Sequence, residues 1–184
     1  MTAYVSLFRG INVGGNHQVS MADLKAVHES LGLQHVLTYI QSGNVVFHGA
    51  EADVPQLQQQ IEATFEQQFG FHSDVFVRTV AEFDEIIERN PFQDQQDKES
   101  KWVVVMFLAA RPDDTAQENL RKAYDGPEEI FFSGQEMYIY YPNGIGRSKL
   151  SGNVIERKLK TGGTARNWNT ILRLQEMLQQ SEQR

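Results

Sequence analysis

Short apolar runs bounded by turn residues alternate along this chain with stretches whose apolar residues recur every third or fourth position. That alternation restricts the fold more than any other feature. Tyr4 to Phe8 reads as a buried strand, followed by a glycine-rich loop over 9–19. Ser20 reads as an N-cap with Asp23 three residues on, and Met21, Leu24, Val27 and Leu31 form one helical stripe that Gly32 stops. Val36 to Ile40 and Val45 to Phe47 are strands around Gln41-Ser42-Gly43-Asn44, which is turn chemistry. Asp53 caps a second helix with Pro55 in its first turn, where the missing N–H costs little. Leu57, Ile61, Phe65 and Phe69 form its buried stripe, Gly70 ends it, and Val75 to Arg78 is a fourth strand. The order is β-α-β-β-α-β, the ferredoxin-like split pattern.

After that the pattern partly repeats. Thr79 and Glu82 make a capping box for a helix carrying Val80, Phe83, Ile86 and Ile87, which Asn90-Pro91 breaks. Residues 93–100 are polar and aperiodic and read as a linker. Trp102 to Leu108 is an apolar strand, Pro112-Asp113-Asp114 starts a helix, and Ser133-Gly134 joins Ile130–Phe132 to Met137–Tyr141 as a hairpin. Ser148 to Lys160 reads as helical, weakened by Gly152, and Thr164 reads as the cap of a last helix with Ile171, Leu174 and Leu178 inward. The expected class is α+β. It has two related ferredoxin-like α/β halves, β-α-β-β-α-β and then β-α-β-β-α plus a C-terminal helix. The ferredoxin-like N-terminal half spans 1–78, a helix and polar linker 79–100, and the second half 101–184. One continuous sheet built from both halves is the alternative arrangement.

Composition narrows the function classes. The 184 residues are 40% hydrophobic, enough to bury a core, and none is cysteine. Disulfides, thiolate-ligated metal and thiol nucleophiles are therefore excluded. The five histidines show no metal-ligand spacing, so no metal or cofactor is expected. The longest apolar run, Val103 to Ala110, is too short to span a bilayer, and no basic-then-apolar leader opens the chain. The expectation is a soluble cytoplasmic protein. The net charge of −7 argues against non-specific nucleic-acid binding, but it is unevenly spread. Residues 51–146 hold 7 basic and 19 acidic residues, whereas 147–166 hold Arg147, Lys149, Arg157, Lys158, Lys160 and Arg166 against Glu156 alone. That basic stretch is either a solvated helix face or one side of an anion site.

Two motifs are candidates for chemistry. The first is the loop Arg9-Gly10-Ile11-Asn12-Val13-Gly14-Gly15-Asn16, placed between a strand and a helix, where successive backbone N–H groups can cradle an anion. It is neither a Walker A loop nor a dinucleotide turn, and it is longer than the usual strand–helix connection. The competing reading is a turn that needs glycine for its shape alone. The second candidate joins Gly146–Ser151, with Lys149, to the segment Thr161–Asn169, where Thr164, Arg166 and Asn167 would sit at a helix start beside lysines and arginines. Here the competing reading is capping and anchoring by Trp168. Ser42 and Asn44 belong to the hairpin turn, and His17 alone among the histidines lies in the glycine-rich loop.

Tyr4–Gly15, Met21–Leu24, Thr38–Phe47, Ser148–Leu150 and Gly163–Thr170 together resemble the signature blocks of a bacterial family of unknown function, DUF1697. The resemblance implies a two-part α/β fold with ferredoxin-like character and a bacterial, cytoplasmic origin, and it brings no established activity. The resulting expectation is a protein that binds a small anionic or phosphorylated ligand, with nucleotide or RNA among the classes. Its cleft would be lined by loop 9–16 (Arg9, Gly10, Asn12, Gly14, Gly15), with Ser42 and Asn44, and by Lys149 and the 164–167 helix start (Thr164, Arg166, Asn167). The alternatives are an enzyme acting on such a ligand, with His17 as base, or a homodimeric interaction protein.

Overall fold

The computed structural model describes residues 1–50 and 53–183. The chain divides into two compact units, Met1–Glu85 with the C-terminal residues from Leu172, and Ile86–Ile171. The division passes within two helices, α3 (Val80–Glu88) and α6 (Trp168–Glu182).

The first unit carries β1 (Thr2–Phe8), α1 (Met21–Ser30), β2 (Gln34–Tyr39), β3 (Asn44–Gly49), α2 (Val54–Phe69) and β4 (Val75–Thr79). The sheet order is β2-β3-β1-β4, all antiparallel, as a split βαβ pattern requires. One core gathers Tyr4, Phe8, Val45, Phe47, Val75 and Val77 from the sheet with Leu24 and Val27 of α1 and Leu57, Ile61 and Phe65 of α2. The helices start where side chains can cap them. Ser20 accepts from Asp23 N at 3.0 Å, and Asp53 from Gln56 N at 3.1 Å. The alternate strand residues Ala3, Val5, Leu7, Val46 and Phe76 are buried too, so these strands read as continuous apolar runs rather than as an alternation.

The second unit carries β5 (Val103–Leu108), α4 (Asp114–Ala123), β6 (Glu129–Ser133), β7 (Glu136–Tyr140), α5 (Gly152–Leu159) and β8 (Gly163–Asn167). Its order is β6-β7-β5-β8, the order of the first sheet. One continuous sheet is thus replaced by two four-stranded ones. The second half also has the closing strand that the sequence reading omitted. Residues 163–167 are not a helix start capped by Thr164; they pair with β5 from Leu108↔Gly163 to Val104↔Asn167. Gly163 permits that close approach, since a Cβ there would lie 2.7 Å from the Phe107 carbonyl oxygen. The helix predicted from Ser148 begins at Gly152, because Ser151 is its cap.

The two units match at the level of single residues. Val5 pairs with Arg78 in one sheet and Val105 with Arg166 in the other. Both arginines are buried on the closing strand. Each donates from Nη1 to the carbonyl of the residue before it, Val77 or Ala165, at 2.9 Å.

The polar stretch before β5 is tied into the second unit. Phe92 is buried against Tyr140, and Lys98 pairs with Glu129 and lies over the Tyr140 ring. Among the described residues no helix is long and apolar enough to cross a membrane.

Candidate functional site

In the first unit, the chain leaves β1 with Phe8 N donating to Gly43 O at 2.9 Å and Arg9 N to Asp74 O at 3.0 Å. Asn12 then organises the loop. Its Nδ2 donates to Val19 O at 3.0 Å and to Gln41 O at 2.7 Å, and its Oδ1 accepts from Val19 N at 2.8 Å. One side chain thereby fastens the loop both to the start of α1 and to the β2–β3 turn. That turn is held by buried Asn44, whose Nδ2 donates to Tyr39 O and to Ser42 Oγ, each at 2.9 Å. Gly14 and Gly15, at φ 59° and 77°, adopt the left-handed backbone that reverses the loop tip. Between them these segments shape an open cavity of about 430 Å³ lined by Asn12, Gly15, Gln18, Val19, Ser20 and Gln41.

Sequence reasoning thus placed the Gly10, Asn12, Gly14, Gly15, Ser42 and Asn44 cluster in one region. Much of its bonding is internal, however. The amides of Asn12, Asn16 and Val19 are used by His17 O, Val13 O and Asn12 Oδ1. Arg9 forms an ion pair with Asp74 at 3.3 Å. His17 stacks on Phe71 with ring centres 4.2 Å apart.

Sequence reasoning missed the charged cluster behind Arg9. His72 Nε2 lies 2.9 Å from Asp74 Oδ1, and its Nδ1 lies 3.4 Å from Glu66. The Asp74 hydrogen bond, opposed by partial burial and aided by Glu66, raises the His72 pKa above its ordinary value. The only local signal was His72-x-Asp74 just past the end of α2; Arg9 is far away in the chain.

In the second unit, Thr164 and Arg166 do not offer donors at a helix start. Both are buried in β8, with Arg166 Nη1 donating to Thr164 Oγ1 at 2.8 Å, and burial lowers the arginine pKa to about 10. Asn167 is the residue before α6; its Oδ1 accepts from Asn169 N at 2.9 Å and its Nδ2 donates to Lys101 O at 2.9 Å. Lys149 lies elsewhere, on an open cavity of about 620 Å³. Ala123 to Glu128 between α4 and β6, Asn143, Arg147 to Lys149, and the outer face of α5 line it.

Local chemistry explains its walls. Tyr141 Oη donates to Leu150 O at 2.9 Å and Leu150 is fully buried, which closes the 142–149 loop and turns Lys149 outward. Ile155 and Leu159 point α5 into the core, leaving Val154, Arg157 and Lys158 on the cavity side. Arg147, Lys149, Arg157 and Lys158 all line it, and among the described residues none of the four forms an ion pair. Four unpaired cations around one concavity raise the local potential for anions despite the acidic whole. Asp125 and Glu128 supply the acidic part of the wall.

No curated protein matches the chain. Among solved structures, the conserved bacterial protein SP0830 from Streptococcus pneumoniae is similar, with 25% sequence identity and a TM-score of 0.77 over 97% of this chain and 99% of that one. The chain also matches a known protein family over residues 1–138, and it belongs to that family of proteins of unknown function, DUF1697.

Proposed function

We infer that this protein binds a small anionic, phosphate-bearing ligand at the cavity of its second unit. The observation that supports the reading is the set of four cations, Arg147, Lys149, Arg157 and Lys158, which share one cavity and form no ion pair among the described residues. A cavity of about 620 Å³ suits a metabolite-sized ligand. Arginine forks and lysine ammonium groups are the usual partners of phosphate oxygens. The glycine-rich loop is the second place for an anion, with the Asn12 and Asn16 amides already bonded within the loop. The reading takes the protein as cytoplasmic, where phosphorylated metabolites are held.

Isothermal titration with inorganic phosphate and pyrophosphate tests it. Pyrophosphate is expected to bind more tightly, to weaken as salt rises, and to lose about tenfold or more in affinity in Lys149→Glu and Arg157→Glu. Unchanged affinity in both variants, or no binding by the wild type, removes the reading.

A second reading is self-association through β2. That strand is a sheet edge, and it exposes Leu37 with Ile40 just beyond it, at 44% and 48%. Sedimentation equilibrium is expected to show a dimer that Leu37→Lys dissociates; a wild-type monomer at high concentration ends this reading.

A further inference from the structure

The cavity holds one group that the four cations do not account for. Glu128 lines it, and Glu128 Oε2 is buried with no hydrogen-bond partner among the described residues. Tyr124 Oη sits beside it. A Cβ built on Gly126 would lie 2.0 Å from Tyr124 Oη and 2.8 Å from Glu128 Oε2, so both oxygens crowd over bare glycine backbone. An ionised carboxylate can only accept, and a buried acceptor without a donor is among the costlier features a fold can keep. Here the neighbouring cations leave it unpaired although they line the same cavity. A phosphate dianion does not satisfy it either, since it offers no donor and carries the same sign of charge.

We propose that the ligand is a phosphorylated polyol, whose phosphate meets Arg147, Lys149, Arg157 and Lys158 while a hydroxyl donates to Glu128 Oε2. The proposal rests on the phosphate-binding reading above and adds the second end of the ligand. A hydroxyl is preferred to an ammonium group because the cavity wall already carries four cations against Asp125 and Glu128, and a further cation would be repelled. Tyr124 Oη, both donor and acceptor, is placed to take a neighbouring hydroxyl.

The test is a titration series on the full chain with inorganic phosphate, ethyl phosphate, O-phosphoethanolamine and glycerol 3-phosphate. Glycerol 3-phosphate is expected to bind about ten- to a hundredfold more tightly than ethyl phosphate, the range of a hydrogen bond to a charged group. Glu128→Leu is expected to abolish that preference while binding inorganic phosphate as well as or better than wild type, because a negative charge has gone. Glu128→Gln keeps a carbonyl acceptor and is expected to retain an intermediate preference, which guards against a folding defect in the leucine variant. Equal affinity for ethyl and glycerol phosphates, with Lys149→Glu still weakening both, overturns the polyol assignment and leaves the phosphate site standing. Tightest binding of O-phosphoethanolamine assigns the donor to an ammonium group and overturns it as well. No binding of any phosphate overturns both readings together.

Discussion

Lowering the pH from 6.5 to 4 is expected to strip about 3 kcal/mol from the stability of the first unit through one side chain. His28 is fully buried on α1. Its Nε2 lies 2.8 Å from Ser6 Oγ and its Nδ1 2.8 Å from Leu24 O, with the Phe8 and Phe47 rings against it. The carbonyl can only accept, so Nδ1 carries the proton and Nε2 accepts from the serine hydroxyl. Burial, partly offset by the Leu24 carbonyl, lowers the imidazole pKa to about 4. The sign follows from linkage. Above pH 6.5 both folded and unfolded states hold His28 neutral and nothing is lost. Below 6.5 the unfolded chain takes up a proton that the folded chain refuses, so stability falls until the folded pKa near 4 is reached. His72, whose pKa is raised, works in the opposite sense, but half-exposed side chains and solvent screening keep its effect small. Urea melts across this window check the prediction. In Ser6→Ala/His28→Leu, where both partners become apolar, the slope is expected to flatten; an unchanged slope assigns the acid sensitivity elsewhere. The pair also shows why a serine beside a histidine is no nucleophile here: neither touches solvent.

Gly43→Ala is expected to cost about 2–4 kcal/mol, from left-handed strain plus overpacking. Gly43 turns the β2–β3 hairpin at φ 84°, and a Cβ there would lie 2.6 Å from Ile11 Cδ1 and 2.8 Å from Phe8 Cβ. Phe8 is fully buried and Ile11 nearly so, so neither can yield, and Phe8 N also donates to Gly43 O. Gly134 separates the two contributions. It turns the second hairpin at φ 60°, but the nearest atom to its Cβ position is Glu136 Oε2 at 3.7 Å. Gly134→Ala should therefore cost only about 1 kcal/mol. Denaturation midpoints decide between them, and equal losses in the two variants would show that packing behind Gly43 is looser than the distances imply. Gly43 links the two parts of the first-unit site, because the turn it makes carries Gln41, which Asn12 binds.

The sequence by itself determined the parts of this protein whose cause is local. Ser20, Asp53 and Asp113 each accept from an amide three residues on, and the Thr79–Glu82 capping box forms as its spacing requires. Strand and helix periods decide element order, and the order decides the antiparallel split pattern, so one half was legible in full. Asn12, Ser42 and Asn44 were legible as turn residues, though not the bonds that join two turns across 29 positions.

Only the tertiary structure decided the last strand. Residues 163–167 carry a threonine and an asparagine that suit a cap, and nothing local separates a cap from a short strand. The free edge of β5 does, because its unpaired amides and carbonyls need partners, and Gly163–Asn167 supplies them. That pairing buries Arg166, whose charge looked available in the sequence, in the register position that Arg78 holds in the first sheet. It also separates Arg166 from Lys149, which joins Arg147, Arg157 and Lys158 instead. A run of charge records how many cations are present. Their direction depends on which neighbours the core takes inward, Leu150, Ile155 and Leu159 here, and that is settled by packing at a distance.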